Sequence, residues 1–121
     1  MITEDYISFE TAKLLKEKGF DGECSRFYMP NGHGRWKHEH YHDFDISDRI
    51  ECPTLQMAMK WLREVHKIEV RVIYDNDKFS WYGACNPMNE LSQILLGFNC
   101  ESNSYEETCE SGIKYCLENL I

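Results

Sequence analysis

In "PTLQMAMKWLREVHKIEVRVIYDNDKFSWYGAC", residues 53–85, the hydrophobic period changes partway along, and few architectures accommodate that change. Leu55, Ala58, Met59, Leu62 and Val65 recur at steps of three and four, with Met57 and Trp61 widening the stripe. That spacing is one face of an α-helix, and Thr54, following Pro53, is placed to cap it. From Ile68 the period falls to two: Ile68, Val70, Val72 and Tyr74 alternate with Glu69 and Arg71. Alternation of this kind marks a half-buried strand. "DND" predicts a turn, and Phe79 and Trp81 alternating against Ser80 and Tyr82 predict the returning strand. The helical stripe faces the core. The expected class is therefore α+β, an antiparallel sheet (a hairpin plus about three strands) packed against two or three helices.

The remaining elements fit that frame. In "ISFETAKLLKEKGFD", Ser8 is a cap, Phe9, Ala12, Leu14 and Leu15 form the apolar side, and Lys13, Lys16, Glu17 and Lys18 stay wet. Gly19 and Phe20 supply the left-handed residue and the apolar contact of a Schellman ending. "MPNGHG", between Phe27–Tyr28 and Trp36, predicts a hairpin whose second arm runs from about Arg35 to His42. "DFDISDRIECP" reads as an extended connection and "SQILLGFN" as a further strand. In "SYEETCESGIKYCLENLI", Ser104 and Glu107 have capping-box spacing. Tyr105, Cys109, Gly112, Ile113, Cys116, Leu117 and Leu120 make one continuous apolar face, which places Ile113 and Leu117 in the core. Gly112 on that face costs about 1 kcal/mol of helix propensity relative to Ala, a cost that fits a close approach by a neighbouring element.

Length and charge narrow the function classes. The 121 residues suit one domain, residues 1–121. The net charge of -8 is spread evenly along the chain, with no basic cluster to track a phosphate backbone. The expectation is no nucleic-acid partner, and a protein partner that is basic or neutral. "MITEDYISFE" has neither a basic n-region nor an apolar h-region, and no apolar run approaches a membrane span. The six cysteines form no C-x-x-C pair and read as reduced, mostly buried hydrophobes of a cytoplasmic protein with no membrane association.

Four of the five histidines lie within "HGRWKHEHYHDFD". On a strand, His38, His40 and His42 share a face about 7 Å apart per step, close enough to converge on zinc or nickel, with His33 adding a ligand across the turn. Trp36 shares that face, while Glu39, Tyr41 and Asp43 take the other, which is also the appearance of a polar edge hairpin; that reading outweighs the metal. Cys85 beside Asn86, with His66 at a helix end, is the available nucleophile–base pair, but no local signature joins them. Acidic residues appear scattered along solvated faces rather than paired for catalysis. The order helix, three strands, helix over residues 54–119 is that of double-stranded-RNA-binding domains. There the last helix starts with lysines, whereas here it starts "SYEETCE".

Three blocks, "YISFETAKLLKEKGFD", "PTLQMAMKWLREVHKI" and "YEETCESGIKYCLENLI", resemble a family of small uncharacterised proteins of Bacteroides-type gut bacteria and their phages and prophages. The resemblance implies a bacterial cytoplasm and a phage or mobile-element setting. It implies no activity, cofactor or catalytic residue, and the histidine-rich arm lies outside the family pattern. The expected function is a non-enzymatic interaction or regulatory module. Its rivals are a metal-binding protein or metal-dependent enzyme using His38, His40 and His42, and an acidic inhibitor mimicking nucleic acid.

Overall fold

The computed structural model describes residues 2–39, 48–88 and 96–121. In chain order the elements are α1 (Phe9–Glu17), β1 (Arg26–Tyr28), β2 (Gly34–Trp36), a 3-10 turn (Lys37–Glu39) and β3 (Ile50–Glu51). Then follow α2 (Leu55–His66), β4 (Ile68–Asp75), β5 (Ser80–Pro87), β6 (Leu96–Ser102) and α3 (Tyr105–Asn119). The fold is α+β, with two antiparallel sheets in place of the single sheet expected: β2-β1-β3 and β4-β5-β6. The helix, three strands, helix order over residues 54–119 is present.

Each helix starts where its sequence signal lies. Ser8, Thr54 and Ser104 are extended N-caps whose hydroxyls accept from the backbone N–H of Thr11, Met57 and Glu107. At the end of α1 the Phe20 N–H donates to the Leu15 carbonyl at 2.9 Å and Gly19, at φ +90°, donates to Lys16 at 3.2 Å. That is the Schellman pattern, open to glycine because it has no Cβ to clash at positive φ. The α3 capping box is relayed. Glu107 Oε2 accepts from the Ser102 hydroxyl at 2.5 Å, and that hydroxyl accepts from the Ser104 N–H at 3.1 Å.

Four expectations on element ends are corrected. The second hairpin arm stops at Trp36, and residues 37–39 turn as a 3-10 helix. The apolar stripe of α2 stops at Leu62: Val65 is 57% exposed and Met57 38%. Lys67 then takes a left-handed conformation (φ 57°) that ends the helix directly before β4. In the β4–β5 turn Asp75 Oδ1 accepts from Asp77 and Lys78 N–H, and Phe79 occupies the left-handed position (φ 51°) at 77% exposure instead of opening the strand. The extended connection contains β3, which pairs with β1 through Phe27–Glu51 and Tyr28–Ile50. The Arg35–His42 arm beyond Glu39 lies outside the described residues, as does the start of "SQILLGFN"; β6 begins at Leu96.

One core joins all three helices to β4 and β5. Leu15 from α1, Leu55 and Leu62 from α2, Ile68 and Val70 from β4, Cys85 from β5, and Cys109, Ile113, Cys116 and Leu117 from α3 belong to it. Ile113 and Leu117 are fully buried, as the face of α3 requires. The β5–β6 register shifts between Gly83 and Trp81, so Trp81 pairs with Ser102 and stacks edge-on against Tyr105 at 5.4 Å. Among the described residues no helix is long and apolar enough to cross a membrane.

Candidate functional site

The segment before α1 is the scaffold of the site. Tyr6 bridges Thr54, the Ile7 N–H donates to the Pro53 carbonyl at 3.1 Å, and the Leu55 N–H donates to the Asp5 carbonyl at 2.9 Å. This clamps residues 5–7 across the start of α2. The chain then enters α1 at Ser8, whose N–H and hydroxyl both donate to Glu110 Oε1, at 2.9 and 2.6 Å. Glu110 sits on the second turn of α3. Three helices therefore begin around one short segment.

Between them opens a cleft of about 490 Å³. Its walls carry Asp5, Glu106, Glu107 and Glu110, and Tyr6, Tyr28 and Leu55 add apolar surface. A smaller pocket alongside, about 100 Å³, adds Glu4. Among the described residues no Lys, Arg or His lines either. Helix N-termini attract carboxylates, each contributing roughly half a positive charge, so three supply about +1.5 against four carboxylates. The cleft stays negative by about two and a half charges.

The carboxylates are positioned rather than loose. Glu106 Oε2 accepts from the Ser104 hydroxyl at 3.1 Å, Glu107 from Ser102, and Glu110 from Ser8. They do not converge on a point: among the described residues no three His, Cys, Asp or Glu side chains are placed to hold a metal ion. The aromatic wall is fixed too. Tyr28 donates its hydroxyl to the Ile7 carbonyl at 2.7 Å, and burial, with Cys52 nearby, pushes its pKa up to about 12. Tyr6 meets the Trp36 ring edge-on at 5.4 Å. A spread of fixed carboxylates over aromatic and aliphatic surface suits an elongated organic cation, such as a lysine or arginine side chain, with its apolar stem and charged head.

The residues singled out from the sequence lie elsewhere. His38 is exposed on the 3-10 turn, its ring 6.2 Å from Trp36, and the strand that was to align it with His40 and His42 has ended two residues earlier. His40 and His42 lie outside the described residues. His33 is exposed in the β1–β2 turn. Cys85 and His66 are engaged separately: the Cys85 sulfur contacts Gly112 and Cys116, and His66 packs edge-on against Trp61 at 4.6 Å. Sequence reasoning took the acids as scattered and so missed the cleft. Only the capping-box spacing and the acidic "SYEETCE" pointed toward it. No family model, no curated protein and no solved structure matches the chain.

Proposed function

We propose that this chain is a non-enzymatic interaction module whose acidic cleft receives a basic side chain of a protein partner. One observation carries the reading. Asp5, Glu106, Glu107 and Glu110 line a cleft with Tyr6, Tyr28 and Leu55 and, among the described residues, without a basic one. Carboxylates in such a site steer cationic partners and repel phosphate, so nucleic acid is not the partner. A bacterial cytoplasm and a phage or mobile-element setting, which the resemblance of three sequence blocks implies, belong to the same proposal.

The test measures binding of a short arginine- and lysine-rich peptide at moderate salt by titration calorimetry. Two triple variants of equal charge change are compared: Asp5→Asn/Glu106→Gln/Glu107→Gln in the cleft, and Glu64→Gln/Glu69→Gln/Asp77→Asn on exposed surface outside it. The cleft variant is expected to weaken binding at least tenfold and the surface variant less than twofold. Equal weakening by the two sets would reduce the effect to net charge and defeat the assignment.

A further inference from the structure

Cys85 on β5 and Cys116 on α3 are both fully buried, and both are free thiols. Their sulfurs stand 3.1 Å apart, about 1 Å beyond the roughly 2.05 Å of a disulfide. Cys85 also contacts the Gly112 carbonyl at 3.7 Å, which sets the thiol against the backbone of α3. The other described cysteines are placed differently: the Cys24 sulfur faces Met57, the Cys52 sulfur faces the Ile7 carbonyl and Cys109 is hydrogen-bonded with Tyr105. From this contact between two packed elements we infer that Cys85 and Cys116 form a redox pair that closes to an intramolecular disulfide when the chain meets hydrogen peroxide.

The two thiols are not equivalent. Cys116 donates its S–H to Cys85, which lowers the Cys85 pKa against the opposing effect of burial. The same hydrogen bond and burial hold the Cys116 proton in place. Cys85 is therefore the first nucleophile, because the thiolate is the reactive form. Its thiolate attacks one peroxide oxygen; an S–O bond forms, the O–O bond breaks, and the departing hydroxide takes the thiol proton to become water. Cys116 then attacks the Cys85 sulfur; an S–S bond forms, the S–O bond breaks, and the second hydroxide takes the Cys116 proton. Two thiols and one peroxide give one disulfide and two waters, with two electrons passing from sulfur to oxygen. Burial selects a small oxidant, since peroxide can reach the pair through local openings that exclude larger disulfides.

The experiment uses the full chain, reduced and freed of reductant, exposed to millimolar hydrogen peroxide under native conditions. It is then denatured, alkylated and peptide-mapped. The expected result is loss of two hydrogens, a linked peptide containing Cys85 and Cys116, and a higher urea midpoint that dithiothreitol returns to its starting value. Cys116→Ala is expected to leave a sulfenic acid on Cys85 that a dimedone probe traps. If that variant does not fold, the wild-type map decides alone. Bridges through other cysteines overturn the inference. So does full alkylation of Cys85 and Cys116 after an exposure that completely oxidises glutathione, or a midpoint that falls.

Discussion

The two sheets have the same antiparallel construction and opposite means of support. The sheet β4-β5-β6 has strands of 8, 8 and 7 residues, and its inner face carries Ile68, Val70 and Cys85 into the core against α3. The sheet β2-β1-β3 has strands of 3, 3 and 2 residues. It sends Tyr28 and Ile50 toward the core, while Phe27, 2% exposed, lies outside the core cluster. Charged contacts surround it: Arg26 over the Trp36 ring at 4.9 Å, Arg49 over Phe27 at 6.0 Å, and Lys37–Glu51 at 2.8 Å. A buried aliphatic side chain contributes about 1.5–3 kcal/mol, whereas partly exposed cation–π and ion pairs contribute about 0.5–1 kcal/mol each. The large sheet is thus a product of burial, and the small one depends on a few side chains and on what the core lends it.

The most severe break in that contrast is Leu117→Asp. It places a carboxylate at a fully buried position on α3. A loss of several kcal/mol is comparable with the stability of a whole domain, so the variant is expected to be unfolded or insoluble by circular dichroism. A folded, soluble Leu117→Asp protein would contradict the core described above.

Raising the pH tests the small sheet through several groups at once. Burial first, then the neighbouring Glu51, pushes Cys24 from an ordinary 9.0 up to about 12. Burial pushes Tyr28 from 10.0 to about 12, and Cys52 upward. The unfolded chain releases these protons from about pH 9, whereas the folded chain holds those of Cys24 and Tyr28 to about pH 12 and that of Cys52 above its ordinary range. Their stabilisation is complete below pH 9 and is lost progressively as the pH rises toward 12. Urea midpoints are expected to fall steadily from pH 9 to 11, less steeply in Cys24→Ala; a flat profile would refute the assignment.

Phe27→Ala is expected to cost about 3 kcal/mol, the low end for such a truncation, because the site lies outside the main cluster. Hydrogen exchange should speed up in β1 and β3 while β4 and β5 remain protected. Equal acceleration in both sheets would show that they unfold as one unit. On the other side of the comparison, Ser104→Ala removes the cap of α3 and is expected to cost about 1 kcal/mol in urea denaturation. Smallest is Phe79→Gly. Left-handed backbone costs a side-chain-bearing residue about 1–2 kcal/mol, and glycine's extra freedom in the unfolded chain returns about half of that. The midpoint should rise slightly; a fall would mean that the exposed ring makes a stabilising contact.

The same division governs what the sequence discloses. The helices were legible down to their caps at Ser8, Thr54 and Ser104, because capping and amphipathic spacing are local. The β4–β5 hairpin was legible for the same reason. Val65 misled because periodicity marks a face of α2 without marking how far along it the core extends. Phe79 misled because nothing local announces an aromatic residue at positive φ. The end of β2 was illegible because a three-residue strand carries almost no alternation. The cleft was illegible for a different reason: Asp5 and Glu110 meet through folding, and the hydrogen bond that joins their elements spans 102 positions.

That bond has a partner, Lys114 to Glu10 at 3.0 Å, and the two stitch the first helix to the last. On a ribosome, α1 would emerge about 90 residues ahead of the helix that completes its packing. At translation rates of about 5–20 residues per second that is a wait of roughly 5–20 s, long compared with helix formation and collapse. The first helix is made early and completes its packing late, so the acidic cleft comes into being only once α3 has followed.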